Sequence, residues 1–335
     1  MSRALDKHVL AALQKQDPSA AYQAISEVLD SSRTTDDSLL EIEILGSTHG
    51  LPDGVYVLQD GPAVGVSKLG LVMAFLVARK ISAAHLEAAG TKTDDELFAA
   101  TAVILLMDPE YLTAANTRKR MIQRRLSKHN DSYEEILLKE KRFIDSLLTS
   151  RLHRHTKSPT LWSHRRWLFQ THASLHVPTN VLSDLTSVIF VAGERHPRNY
   201  YAWCHARFLV GLGNEQWNQD DLLEAVKTWC FKHHTDISGW TFLYFLLKRR
   251  ESFDNGAASS LVLAEVLALV ESLRLTNESV WVFLRTLTAG GLISDPDFDR
   301  FLAVNRDILE TSVDETDGRV MEAAVNWCKT FRMNG

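Results

Sequence analysis

Apolar residues recur every three or four positions along most of the chain, with charged and polar residues between them. The longest segments with this spacing are residues 94–107, 133–148, 181–194 and 259–275. Such spacing puts the apolar side chains on one side of an α-helix. Residues 55–59 alternate as in a strand. They lie in a stretch rich in Gly and Pro, residues 46–70, which we expect to be an irregular connection. The pattern therefore predicts an all-α fold.

Four tryptophans mark a repeat of about 40 residues. Trp162, Trp203, Trp240 and Trp281 are separated by 41, 37 and 41 residues. Four positions before each stands a residue type that caps helices: Ser158, Asn199, Asp236 and Asn277. Six positions after each stands a leucine: Leu168, Leu209, Leu246 and Leu287. We expect each tryptophan to lie one turn into a helix and to form, with its leucine, the structural core of the repeat.

An earlier unit completes the repeat. Ala115 takes the tryptophan position and Met121 the leucine position, and we expect this helix to start at residues 108–109. About five helical hairpins result, and stacked hairpins form an α-α superhelix, expected here as a right-handed crescent with the helix starts along one edge. We assign residues 91–335 to these repeats. Residues 1–90 form a helical or irregular leader packed on them, with an amphipathic helix over residues 1–17.

Composition excludes several classes of protein. The chain has 335 residues and a net charge of −5, which argues against a nucleic-acid-binding role for the whole molecule. The most apolar run, residues 69–78, is far shorter than the roughly 20 residues that span a bilayer, so we expect a buried helix and no membrane span. The first residues lack a signal-peptide pattern, which favours a cytoplasmic protein.

The chain also lacks the sequence pattern of a metal site. Its cysteines, Cys204, Cys230 and Cys328, are too far apart for a disulfide framework or a CxxC pair. Two pairs of histidines, each close in sequence, lack carboxylate or cysteine companions at ligand spacing: His153 with His155, and His233 with His234. We therefore expect no metal site and no cofactor in this chain.

Positive charge is concentrated in the first repeats. Residues 118–166 hold fourteen Lys and Arg against five Asp and Glu. Helix starts carry free N–H groups and the positive end of the helix dipole, which attract anions. Lys157 and Arg198 each lie five residues before a tryptophan, so we expect them to be neighbours and to form a phosphate or diphosphate site. A solvated or protein-binding surface is the alternative explanation for this charge.

The residues around the tryptophans resemble a known repeat. Trp-Ser-His-Arg-Arg-Trp-Leu at 162–168 and Asn-Tyr-Tyr-Ala-Trp at 199–203 are similar to the protein prenyltransferase α-subunit repeat, Asn-Tyr-x-x-Trp-x-x-Arg-x-x-Leu. The resemblance covers residues 108–287. Arg118 and Arg165 match the arginine of the motif, which later units lack. Upstream segments resemble, more weakly, the leader of the repeat-containing proteins that serve as α subunit of geranylgeranyltransferase type III.

This resemblance implies an α subunit that is active only with a β subunit, here of the Rab geranylgeranyltransferase type. The β subunit would hold zinc and most of the isoprenoid pocket. Lys157 matches the catalytic lysine that reaches the isoprenoid diphosphate. Arg198, Asn199, Tyr200 and Tyr201 match residues of the substrate cleft. The implied reaction transfers geranylgeranyl to a protein cysteine, with an acceptor such as a farnesylated Golgi SNARE.

Two other functions fit the same sequence. A helical-repeat scaffold could bind a peptide or protein without catalysing any transfer. The chain could also be the α subunit of farnesyltransferase or geranylgeranyltransferase type I, although Ser158-Pro159 in place of Asn-Tyr and the long leader argue against it. Tyr200 and Tyr201 could equally pack between hairpins.

Overall fold

The computed structural model describes residues 17–30, 38–87, 93–128, 133–212, 218–311 and 315–332. The expected helix over residues 1–17 lies, except for its last residue, outside these ranges. The helices are α1 Pro18–Leu29, α2 Lys68–Glu87, α3 Asp94–Met107, α4 Leu112–Lys128, α5 Tyr133–Thr149, α6 His153–Thr156, α7 Pro159–Ser174, α8 Val181–Asp184, α9 Phe190–Arg195, α10 Tyr200–Leu212, α11 Gln219–Lys232, α12 Ile237–Asp254, α13 Ala257–Leu273, α14 Glu278–Ala289, α15 Asp295–Thr311 and α16 Glu315–Arg332. A π-helical turn, Leu185–Ile189, joins α8 to α9. The fold is an all-α helical repeat with a small sheet.

The sheet corrects the expectation of an irregular connection over residues 46–70. Strands β1 Glu41–Leu45, β2 Val57–Asp60 and β3 Ala63–Ser67 form a sheet in the order β1-β3-β2. β3 pairs parallel with β1 and antiparallel with β2. Gly61, with a φ of 54°, forms the tight turn between β2 and β3. The strands form because short runs of alternating branched residues bury one face, with Ile42, Val64 and Val66 inside.

The outer edge of β1 is closed by α5. The backbone N–H groups of Leu40 and Ile42 donate to the Ser146 and Ser150 hydroxyls, each at 3.0 Å. These bonds satisfy donors that an edge strand would otherwise expose. The sheet is thereby tied directly to the first hairpin, α4 and α5.

The described residues fall into two compact units, one within residues 1–180 and 187–196 and one within 181–186 and 197–335. In the first unit, α2 packs on α1 and α3, and α7 packs on both α4 and α5. α2 buries Leu71, Met73, Ala74 and Ala78, which confirms the helix expected over residues 69–78. Among the described helices, none has an apolar stretch long enough to cross a bilayer.

The second unit stacks its helices in two rows. α12 lies between α10 and α14, while α13 lies between α11 and α15, and α16 closes the end against α14 and α15. The buried rings of Trp203, Trp240 and Trp281 lie along the first row. This arrangement is the one expected of stacked hairpins, whose faces become buried only against a neighbour. The division into a leader, residues 1–90, and repeats, residues 91–335, stays a prediction.

The first repeat begins later than expected. Its helix starts at Leu112, because Asp108 ends α3 and residues 109–110 form a turn. Leu112 lies three residues before Ala115, and the other four repeat helices also start three residues before their tryptophans. Ala115 and Met121 are both buried. The register assigned to this unit is therefore confirmed, and only its starting residue was wrong.

Candidate functional site

The candidate site is built on the starts of the repeat helices. All four capping residues predicted from the sequence accept a hydrogen bond from a backbone N–H of the first turn, which confirms them as caps. The bonds run from Leu161 to Ser158 (3.1 Å), from Ala202 to Asn199 (3.2 Å), from Ser238 to Asp236 (2.8 Å) and from Val280 to Asn277 (3.2 Å). The residue before each cap therefore stands at a helix start of defined geometry.

The tryptophans also fix the chain just before the caps. All four side chains are buried, and three indoles donate their N–H to the carbonyl six residues earlier. These bonds join Trp162 to Thr156 (2.9 Å), Trp240 to His234 (2.9 Å) and Trp281 to Leu275 (3.0 Å). Each such tryptophan therefore fills the core and holds the connection that leads into its own helix.

Lys157 lies between two of these fixed points. The Thr156 carbonyl on one side accepts from Trp162, and Ser158 on the other caps α7. The Ser158 hydroxyl also lies 3.2 Å from the carbonyl oxygen of Pro109, which ties the turn to the end of α3. The Lys157 side chain itself is exposed. A backbone held by hydrogen bonds on both sides thus presents a cation at the start of a helix, where anions bind favourably.

Two histidines lie beside Lys157. The rings of His153 and His196 meet edge to face, with centroids 4.5 Å apart. Burial lowers the pKa of His196, and the charges of His153 and Lys157 lower it further. The three side chains therefore share one basic neighbourhood in which an anion would favour protonated imidazoles.

His155 has a structural role. Its Nε2 lies 2.9 Å from the carbonyl oxygen of Leu106 and 3.1 Å from that of Leu105. Burial lowers the pKa of His155 to about 4, so the ring is neutral at pH 7. The buried ring joins the turn that carries Lys157 to the end of α3.

Two carboxylates near the turn of Lys157 are paired with other side chains. Asp108 pairs with Arg154 at 3.0 Å, and Glu110 accepts a hydrogen bond from the Thr160 hydroxyl at 2.7 Å. Arg154 and Asp108 are both well exposed, so their pair contributes little to stability. It nevertheless offsets the Asp108 charge next to the candidate anion site.

The other candidate residues lie in the second unit. Arg198 is exposed and has a φ of 61°, which is unusual for a residue other than glycine. Its backbone N–H donates to Asp236 at 2.7 Å, and the second oxygen of that carboxylate caps α12. Asp236 therefore fixes the backbone at Arg198 as well as the next helix. That Lys157 and Arg198 form one anion site stays a prediction.

Asn199, Tyr200 and Tyr201 differ in exposure. Asn199 is fully buried and caps α10, so a role in substrate binding for it stays a prediction. Tyr200 is 69% exposed and Tyr201 39%, with ring centroids 5.5 Å apart. A hydrogen bond with Cys204 raises the pKa of Tyr200. The two tyrosines present an open aromatic surface directly after the cap.

The arginines of the repeat motif are structural. Arg118 makes a bidentate pair with Glu140 (2.8 and 2.6 Å), and Arg165 pairs with Asp145 at 2.6 Å. All four side chains are buried, and both acids belong to α5. Burial opposes ionisation of Glu140, but the attraction of Arg118 and His164 lowers its pKa to about 2. α5 is thus held by ion pairs to α4 on one side and α7 on the other.

These pairs were not identified from the sequence. The acids lie 22 and 20 residues from their arginines, within a helix that carries five other charged residues. Their only sequence signal is a carboxylate within an apolar stripe. Two of the fourteen cations counted in the basic region are therefore neutralised inside the fold.

Comparisons with known proteins agree with this construction. Residues 139–172 match the family model of the protein prenyltransferase alpha subunit repeat, and residues 161–262 match that of the ECM9 middle domain. Protein ECM9 of Saccharomyces cerevisiae is 31% identical over 161 residues, which are 48% of this chain and 42% of that protein. Protein prenyltransferase alpha subunit repeat-containing protein 1-B of Xenopus laevis is 32% identical over 173 residues, 46% of this chain and 37% of that protein.

A transferase subunit is also similar to part of the chain. Geranylgeranyl transferase type-2 subunit alpha of Candida albicans is 28% identical over 125 residues, 35% of this chain and 31% of that protein. The chain spans less than half the length of each of these relatives. Residues 139–172 thus match one protein prenyltransferase alpha subunit repeat, and the chain is similar over part of its length to proteins that contain this repeat.

Proposed function

We propose that this chain is the α subunit of a heterodimeric protein prenyltransferase of the geranylgeranyltransferase type III kind. One observation carries most of the weight: Lys157 is an exposed cation on a turn fixed from both sides, at the position of the family's catalytic lysine. A rigid donor costs no reorganisation when charge develops in a transition state. The similarity to a geranylgeranyltransferase α subunit supports the same reaction class.

The reaction assigns a role to Lys157. The acceptor cysteine thiolate forms a carbon–sulfur bond with C1 of the isoprenoid, while the bond from C1 to the diphosphate oxygen breaks. The electron pair of that bond leaves with the diphosphate, so negative charge grows on its oxygen. The Lys157 ammonium stabilises this charge, and His153 and His196 add positive potential when protonated. A zinc ion on the β subunit would lower the pKa of the acceptor thiol.

The exposed residues of the second unit contribute to substrate binding. Arg198 offers a cation to an anionic group of the substrate, and Tyr200 and Tyr201 offer aromatic faces for the isoprenoid or the acceptor peptide. Asn199 acts indirectly, because its cap fixes the helix that carries both tyrosines. The proposed partner is a β subunit of the Rab geranylgeranyltransferase type, and the proposed acceptor is a protein such as a farnesylated Golgi SNARE.

Co-expression with each candidate β subunit tests this proposal. The expected result is a 1:1 complex with the Rab-type β subunit, and mass spectrometry should show a twenty-carbon lipid added to the acceptor. Transfer of a fifteen-carbon lipid in a complex with the farnesyltransferase β subunit would assign the chain to that enzyme instead. Absence of any complex, together with peptide binding by the chain alone, would support the scaffold function.

A further inference from the structure

The first unit contains a second basic feature, away from the turn of Lys157. A cavity of about 580 Å³ is lined, among the described residues, by His85 of α2 and by five side chains of α4: Thr117, Arg120, Gln123, Arg124 and Ser127. The α4 residues recur every three or four positions, so they form one stripe along the helix. Every one of the lining side chains can donate a hydrogen bond, and none of them is a carboxylate.

The arginines of α4 divide into two groups. Arg118 and Arg125, which face away from the cavity, lie 2.6 Å from the carboxylates of Glu140 and Asp95. In the cavity, Arg124 lies 3.5 Å from Asp94, and its side chain is half exposed, so this contact is weak. Within the described part of the chain, the recorded partner of the Arg120 guanidinium is a neutral hydroxyl, that of Thr117, at 3.1 Å. Carboxylates of the described residues therefore neutralise the positive charge of this cavity only weakly.

His85 supplies an independent observation. Its Nδ1 is shielded from solvent and has no hydrogen-bond partner among the described residues. In folded proteins most shielded polar atoms have a hydrogen-bond partner. With the tautomer that carries the ring hydrogen on Nδ1, His85 can donate to an acceptor group placed in the cavity.

We propose that this cavity, the α4 groove, binds a phosphate group carried by a small molecule or a lipid. Arg120 and Arg124 are one helical turn apart on the same stripe, so both guanidinium groups can reach one phosphate. Thr117 and Gln123 add neutral donors, which suit the several acceptor oxygens of a tetrahedral anion better than a carboxylate. The volume is in the range of small-molecule sites, about 300–1,000 Å³. The proposal does not depend on the transferase function, because no residue of the α4 groove belongs to the Lys157 site.

Calorimetry with the purified full-length chain tests the soluble source of the phosphate. The probe is inorganic pyrophosphate, titrated into the wild-type protein, the double variant Arg120→Gln/Arg124→Gln and the variant Lys157→Ala. We expect the double variant to bind at least about tenfold more weakly, since it loses two charge-assisted donors to the anion. Lys157→Ala should still bind pyrophosphate in the α4 groove. The matched control Arg300→Gln/Arg306→Gln removes two exposed charges from one helix, α15, and should bind as the wild type does.

Vesicle flotation tests the lipid source. Vesicles of phosphatidylcholine with 20 mol% phosphatidylinositol 4-phosphate are compared with vesicles of phosphatidylcholine alone, using the same variants. Binding that is lost in the Arg120→Gln/Arg124→Gln variant and kept in the α15 control, in either assay, supports the α4 groove. Equal binding by the groove variant and the wild type in both assays would overturn it, as would an equal loss in the α15 control.

Nuclear magnetic resonance adds a readout at the site itself. Addition of pyrophosphate should shift the His85 Nδ1 signal in the wild type and in Lys157→Ala, and should leave it unchanged in Arg120→Gln/Arg124→Gln. The signal is identified by its loss in His85→Gln. A His85 signal that does not respond in the wild-type protein would contradict the proposed ligand position.

Discussion

The indole N–H of Trp162 donates to the Thr156 carbonyl at 2.9 Å and thereby fixes the residue that precedes Lys157. The same bond recurs between Trp281 and Leu275 at 3.0 Å, in a repeat whose helix start has no lysine at this position. The same hydrogen bond therefore holds the chain before the helix in several repeats. In the proposed reaction, only the repeat of Trp162 has a catalytic residue, Lys157, at that position.

Replacement of Trp162 by phenylalanine separates its contribution to stability from its contribution to catalysis. Trp162→Phe keeps an aromatic ring in the core but removes the indole N–H, and Trp281→Phe is the matched control. We expect each variant to lose about 1–3 kcal/mol of unfolding free energy, because a buried carbonyl loses its donor and the ring is smaller. Urea denaturation measures this loss. Only Trp162→Phe should also slow single-turnover prenylation, and equal slowing in both variants would contradict the proposed use of the turn.

The buried ion pair between Arg118 and Glu140 gives a second prediction. Glu140→Gln leaves the guanidinium group uncompensated inside the protein and should destabilise it by about 3–5 kcal/mol. Glu135→Gln, on the same helix, removes an exposed carboxylate that pairs with Lys139 and should change stability little. Chemical denaturation compares the two. A small effect of Glu140→Gln would show that Arg118 finds another acceptor.

The pH dependence of stability should contain a contribution from His155. Burial lowers its pKa from 6.5 to about 4, so the folded protein favours the neutral ring. This contribution is fully present above about pH 6.5, and it is lost as the pH falls toward 4, by up to about 3 kcal/mol. His155→Gln cannot titrate, although its amide can still donate to a carbonyl. The unfolding free energy of the variant should therefore fall less between pH 7.5 and 5 than that of the wild type, and identical slopes would contradict this assignment.

The backbone of Arg198 is in the left-handed region, which is unfavourable for a residue other than glycine. Its φ of 61° is disfavoured by about 1–2 kcal/mol for residues with a Cβ. Arg198→Gly relieves this strain and Arg198→Ala does not, while both remove the charge. We expect Arg198→Gly to unfold at higher urea concentration than Arg198→Ala, and both to weaken binding of the isoprenoid diphosphate to the heterodimer to the same extent. Unchanged binding in both variants would exclude Arg198 from the donor site.

Local features of this fold could be predicted from the sequence, and features set by distant residues could not. The caps at Ser158 and Asn277 depend on hydrogen bonds between residues three positions apart, so residue type and spacing identified them. The sheet was missed because its strands have only four or five residues, and β1 pairs with β3 across more than 20 residues. An alternation of apolar and polar residues over so few positions indicates a strand only weakly, whereas helical spacing over a long segment is a strong signal.

The candidate site shows the same division. The position of Lys157 before a cap follows from the sequence, but its fixed turn depends on Pro109, about 50 residues away. The strained φ of Arg198 is held by Asp236, 38 residues later in the chain. The acid partners of Arg118 and Arg165 lie in a separate helix. Sequence spacing therefore identified the candidate residues, and tertiary contacts determine how their backbones are held.

Single-turnover prenylation by Lys157→Ala in the reconstituted heterodimer tests the central proposal most directly. We predict a chemical step slowed by about 10- to 10³-fold, the range for one preorganised electrostatic donor, with heterodimer assembly intact. Lys80→Ala, which removes an exposed lysine of α2 in the same unit, should react at the wild-type rate. An unchanged rate in Lys157→Ala would contradict the proposed role of this lysine.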